Sequence, residues 1–152
     1  MWVRRSMLGL VVVLALLALF DVFGQSPSTT SAAAAAATLH VDSPGAVRGG
    51  LLYQVRFTVE AHQDLKSATL VLDTGWLDGL TVNTIEPSPV NEASRNGKLA
   101  LELGHVPAGE KYVLFLDYQV NPTTVGTRRQ TVALDDGETR ILSIDHDLTV
   151  YP

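Results

Sequence analysis

Cysteine is absent from the sequence. That excludes a disulfide framework and leaves folding indifferent to the redox state of the compartment. No basic stripe is present, and the formal charge is −5. Because Arg4 and Arg5 precede the first hydrophobic run, the rest of the chain is more acidic still, which makes nucleic acid a poor partner. No Asn-x-Ser/Thr acceptor occurs, since Asn121 is followed by Pro122; this suits a bacterial exported protein. Aromatic residues make up only 7 % of the chain, too few to line a broad ligand groove once a core is filled. After residue 38 no segment sustains a helical period.

The residues that carry chemistry are also missing or scattered. There is no Gly-x-Ser-x-Gly, no phosphate loop and no dinucleotide fingerprint. A serine nucleophile would need an activating base and an oxyanion donor close by. The four histidines, His40, His62, His105 and His146, show no metal-ligand spacing. His146 falls on the apolar side of its segment, where it is either a partly buried structural histidine or a pH-sensitive or metal-binding group. Asp135, Asp136 and Glu138 surround Gly137; they read as a solvated hairpin turn or, alternatively, as carboxylates around Ca²⁺. The expectation is no enzyme, no cofactor and no bound metal.

What is present begins with a hydrophobic run, Met7 to Phe20, extended past Asp21 by Val22 and Phe23. A signal anchor over 7–23 and a cleaved signal peptide both fit that length. Two arginines in front hold residues 1–6 in the cytoplasm by the positive-inside rule and send the remainder outside. The segment Gln25–Ala37 reads QSPSTTSAAAAAA; residues 24–37 are expected to be a flexible Ser/Thr/Ala linker.

From residue 38 to 152 the hydrophobic period is two. Tyr53, Val55, Phe57 and Val59 alternate with Gln54, Arg56, Thr58 and Glu60, the pattern of a half-buried antiparallel strand. Similar alternation predicts strands over 98–103, 111–120 and 140–150. Weaker candidates are 39–42, 68–73, 80–85 and 129–134. Turn residues separate them: Gly49-Gly50, Asn96-Gly97, Pro107-Ala108-Gly109 and Asp135-Asp136-Gly137. The expected fold is all-β, an Ig-like antiparallel β-sandwich of seven to eight strands preceded by one N-terminal transmembrane helix.

The run Gly49–Ala61 (GGLLYQVRFTVEA), the run Asp73–Val82 (DTGWLDGLTV) and the run Leu101–Val120 (LELGHVPAGEKYVLFLDYQV) are similar to motifs of prokaryotic DUF11/CARDB-type surface domains. The chain as a whole resembles small actinobacterial membrane-anchored proteins of unassigned function. One departure is His62-Gln63-Asp64, where those domains carry Asn-x-Gly. The matched positions are turn and core residues. The resemblance therefore implies an Ig-like sandwich with a role in adhesion, assembly or ligand presentation, and no chemistry.

Two loops are candidate partner-binding positions. Trp76 and Leu77 lie in a Gly-bounded connection, where an exposed aromatic can anchor a partner; the competing reading has Trp76 capping the core. Pro87 and Pro89 stiffen a second connection at low entropic cost. Arg128 and Arg129 could meet headgroups or an acidic partner, or simply be a solvated strand edge. The expected function is a membrane-tethered extracytoplasmic interaction or accessory domain with a protein partner in membrane or envelope. The alternative is a small-ligand or carbohydrate-binding sandwich.

Overall fold

The computed structural model describes residues 2–19 and 27–152. A helix, α1 (Trp2–Leu19), is followed after the undescribed stretch by β1 (Pro27–Ala33), β2 (Ala37–Pro44), β3 (Ala46–Arg48), β4 (Leu52–Ala61) and β5 (Leu65–Leu72). A 3₁₀ turn, η1 (Thr74–Trp76), leads to β6 (Leu80–Glu86), β7 (Asn91–Arg95), β8 (Lys98–Val106), β9 (Lys111–Val120), β10 (Gly126–Asp136) and β11 (Thr139–Tyr151). One sheet has the order β1-β2-β4-β9-β6, the other β3-β11-β10-β5-β8-β7. All pairings are antiparallel except β3 with β11. The two sheets form a β-sandwich of the Ig-like kind.

The period-two pattern explains the packing. In β4 the inward residues Tyr53, Val55, Phe57 and Val59 are buried, while Gln54 and Arg56 are exposed. Across the ladder, β9 presents Leu114, Leu116, Tyr118 and Val120 to the same interior. The facing sheet contributes Leu70 and Leu72 from β5, Val132 and Leu134 from β10, and Ile144 and Leu148 from β11. Burying each such side chain is worth roughly 1.5–3 kcal/mol, so these rows hold the sheets together without disulfides.

All eight segments with strand periodicity are strands. The structure adds three more, for eleven in place of the expected seven or eight. β3 is only three residues long, and β7 (NEASR) has no apolar alternation to read. The third addition corrects the linker. In residues 24–37, Pro27–Ala33 is an edge strand paired with β2 from Pro27↔Pro44 to Ala33↔Thr38, and residue 37 already belongs to β2; only 24–26 lie outside the described residues. Side chains this small leave no hydrophobic contrast between the two faces. Ser and Thr still tolerate extended backbone, and β2 offers an unpaired edge that β1 covers.

Among the described residues no helix is long and apolar enough to cross a membrane. The stretch expected to span, 7–23, continues past Leu19 into residues 20–23, which lie outside those described.

Candidate functional site

The four residues singled out in loops are not brought together. Trp76 is 0 % exposed. Its indole meets Phe57 edge-on, with ring centroids 5.4 Å apart, and lies over His146 with centroids 6.2 Å apart and planes 17° from parallel. The turn that carries it is fixed by Asp73, whose side chain accepts from the Gly75 amide at 3.0 Å, and by Gly75 packed on the backbone of β10. Trp76 is therefore core, and the surface role expected for it is corrected. The sequence misleads here because Gly-rich flanks look like an exposed loop, whereas they permit close approach to β10. Leu77 and Pro89 are half-buried and Pro87 is exposed. η1 precedes β6 and the proline pair follows it, so β6, seven residues long, separates them by about 20 Å.

The remaining candidates are engaged locally. His146 is buried, and its Nε2 lies 3.3 Å from the Pro44 carbonyl oxygen. His105 meets one carboxylate, Asp64, at 2.6 Å, and His62 meets the Thr38 hydroxyl at 2.7 Å. Asp135 accepts from Arg140 at 2.6 Å within the hairpin, and Asp136 accepts from the Ser67 amide of β5 at 2.8 Å, so one carboxylate fixes the hairpin and the other ties it to the neighbouring strand. Among the described residues no group of three or more His, Cys, Asp or Glu side chains could hold a metal. Arg128 donates to the Asp78 carbonyl oxygen, and Arg129 pairs with Asp147 at 3.9 Å.

The surface that does gather polar groups is the outer face of the β1-β2-β4-β9-β6 sheet. Register places Thr29 opposite Asp42, and Arg56 opposite Phe115. Asp42 accepts from the Thr29 hydroxyl at 2.6 Å and from Arg56 at 2.8 Å. Two strand repeats farther along β4, Lys111 holds Glu60 at 2.5 Å, with His40 at 3.8 Å from the same oxygen. Gln54 donates to Asp117 at 2.8 Å. Half-buried Phe115 shares a shallow, open depression of ≈ 290 Å³ with Pro27, Pro44, Gln54 and Arg56. Neighbouring depressions of ≈ 400 and ≈ 260 Å³ lie on the same face.

Electrostatics follow from these pairs. Partial burial pushes the Asp42 carboxyl upward, but the hydrogen bonds from Thr29 and Arg56 and the Arg56 charge outweigh it and hold the group below its ordinary value. The Lys111 hydrogen bond does the same for half-buried Glu60. The depressions of the face are open, and its charges alternate in sign. The aromatic residues Tyr53, Phe57, Trp76 and Tyr118 are buried and face the interior; of these, Tyr53 also borders the ≈ 400 Å³ depression. The sequence already supplied the outward set Gln54, Arg56, Thr58 and Glu60. What it lacked was the cross-strand register that pairs them with β1, β2 and β9.

No protein-family model and no curated protein matches the chain. Solved structures do. BslA, a bacterial hydrophobin, is 16 % identical with a TM-score of 0.50, covering 80 % of this chain and 99 % of that one. A non-cellulosomal cohesin from Archaeoglobus fulgidus is 14 % identical with a TM-score of 0.48, covering 72 % and 88 %. A CARDB domain from Pyrococcus furiosus, solved with two metal ions, is 17 % identical with a TM-score of 0.44, covering 82 % and 89 %. At 16 % identity the likeness to BslA shows the sandwich fold and nothing about activity. The other two, below a TM-score of 0.5, add nothing to it.

Proposed function

We propose that the chain is a non-enzymatic interaction module of the DUF11/CARDB type. In this reading an extracytoplasmic β-sandwich is tethered to the cell membrane through residues 7–23, N-terminus cytoplasmic, and docks a membrane or envelope protein. The observation that supports it is the outer face of the β1-β2-β4-β9-β6 sheet. Small-molecule sites are enclosed and apolar, whereas the depressions of this face are shallow and open to solvent. Its paired charges, Asp42 with Arg56 and Glu60 with Lys111, stand around half-buried Phe115. Such an array selects a partner through charge complementarity and register, with the aromatic as the apolar anchor at its centre.

The test is purification of the tagged full chain from native membranes in mild detergent, beside Arg56→Glu and a control, Glu138→Lys, in the hairpin that joins β10 to β11. Arg56→Glu sets two carboxylates against each other. One membrane or envelope protein is expected with wild type and Glu138→Lys, reduced about tenfold or more by Arg56→Glu, a loss of roughly 1.4 kcal/mol. Enrichment no different from that of an unrelated anchored sandwich would sink the reading.

A further inference from the structure

The two ends of the sandwich differ in chemistry. Among the described residues outside α1, five large apolar side chains are strongly exposed, and four belong to one end: Leu51 (46 %), Leu52 (62 %), Val125 (58 %) and Tyr151 (55 %). Their common location follows from backbone contacts. The Gly49 amide donates to the Tyr151 carbonyl oxygen at 2.9 Å, and the Val120 amide donates to the Leu51 carbonyl oxygen at 3.0 Å. Pro122, exposed, packs against Gly49 and Gly50 and carries the chain toward Val125. In segments 45–52, 119–127 and 149–152 Arg48 is the only charged residue; the η1–β6 connection, which Asn121 and Thr124 bond through the Gly79 carbonyl oxygen, adds exposed Asp78, whose own carbonyl oxygen accepts from Arg128. The opposite end, where β4 turns into β5 and β10 into β11, exposes His62, Asp64, Lys66, Glu110, Glu138 and Arg140.

β1, the first described element after the hydrophobic segment, begins near the apolar end. β1 begins at Pro27, which pairs with Pro44. The β2–β4 ladder runs through Asp42↔Arg56, which puts Pro44 level with Gln54, two residues or about 7 Å short of Leu52. The proposed span ends at Phe23, four peptide steps before Pro27, and four steps reach at most about 14 Å. A domain tethered this closely has its apolar end at headgroup depth, the layer in which tyrosine and short aliphatic side chains are at home.

We infer that this end of the sandwich, built on Leu51, Leu52, Val125 and Tyr151, is a membrane-docking surface that seats against the outer headgroup layer of the bilayer holding the chain. The inference rests on the tether proposed above. It makes the domain a rigid post standing on the membrane, with the β1-β2-β4-β9-β6 face turned sideways to neighbouring envelope proteins. Arg48, beside Tyr151 in the β3–β11 ladder, is placed to meet a lipid phosphate.

Because the chain has no cysteine, single labelling sites need no other change. Leu52→Cys, Val125→Cys, Glu138→Cys and Ser31→Cys, the last on the β1 edge, are each made in the full chain. Each is labelled with an environment-sensitive fluorophore and reconstituted into vesicles of phosphatidylcholine and phosphatidylglycerol with or without brominated acyl chains. Quenching by the brominated lipid is expected to be at least severalfold stronger at positions 52 and 125 than at 138 and 31. Equal quenching at all four in a chain that floats with the vesicles overturns the docking surface and leaves the tether standing. Quenching at 31 in place of 125 also overturns it, since the domain then lies on its edge. A chain that does not float with the vesicles overturns the tether and the docking surface together.

Discussion

The indole of Trp76 stands edge-on to the phenyl ring of Phe57, centroids 5.4 Å apart and planes at 61°. This contact joins η1 to the inner face of β4 and closes one end of the core. Trp76→Ala is expected to cost about 3–5 kcal/mol, the range for emptying a large buried aromatic site. Urea unfolding followed by circular dichroism measures it; a loss below about 1 kcal/mol would mean that the indole is dispensable to the core.

Gly75 holds the same turn against β10. A methyl group there would lie 2.0 Å from the Arg129 carbonyl oxygen, and backbone cannot swing aside as a side chain can. Gly75→Ala is expected to destabilise the domain by about 2 kcal/mol or more and to increase hydrogen exchange at the Trp76 and Leu77 amides. Unchanged exchange at those amides would show that the turn accommodates the methyl.

Acid stability carries the signature of Asp42. Its folded-state pKa lies below the ordinary 3.8, chiefly because Thr29 and Arg56 bond the ionised form and outweigh partial burial. The stabilisation is therefore complete above the unfolded value and is lost as pH falls through the folded one. Asp42→Asn is expected to flatten the acid limb of the stability curve below about pH 4 and leave the neutral region's slope unchanged. An acid limb as steep as wild type would assign acid sensitivity elsewhere.

The alkaline limb belongs to two phenols. Tyr53 and Tyr118 stack with centroids 5.4 Å apart, and burial drives both well above their ordinary 10.0. A raised folded pKa means stability is intact below the unfolded value and declines as pH rises through the interval above it. The Tyr118 hydroxyl has no hydrogen-bond partner among the described residues. Tyr118→Phe is thus expected to change neutral stability by no more than about 1 kcal/mol while postponing unfolding above pH 10. Spectrophotometric titration at 295 nm, which follows phenolate formation, separates the two effects; Tyr118→Phe unfolding at the same alkaline pH as wild type would rule out this origin.

The sandwich was readable wherever one face is apolar and the other polar, since alternation of Tyr53, Val55, Phe57 and Val59 admits one orientation only. It was unreadable in β1, where serine, threonine and alanine give neither face a claim on the core, and in β7, whose Asn91–Arg95 residues pair without burying much. Trp76 lay in a sequence context with two outcomes, and only its position beside Phe57 and His146 decides for burial. The polar face was half visible. The outward residues of β4 were identifiable, but their partners Asp42, Lys111 and Asp117 lie up to 63 positions away, a separation that periodicity does not resolve.

β1 is both an edge strand and the first described element after the hydrophobic segment, and under the tether proposed above that coincidence would set how the domain bears force. Its ladder with β2 lies across the strand axis, and Pro27 marks its loaded end. A pull from the membrane on the residues before Pro27, opposed by a partner held on the sheet face, acts along that axis. The bonds of this ladder, whose register runs from Pro27↔Pro44 to Ala33↔Thr38, then share the load in shear and fail together, where a pull across the edge would open them one at a time. A segment with scarcely any hydrophobic character can in this way serve as a mechanical clamp, because its resistance lies in the direction of the pull.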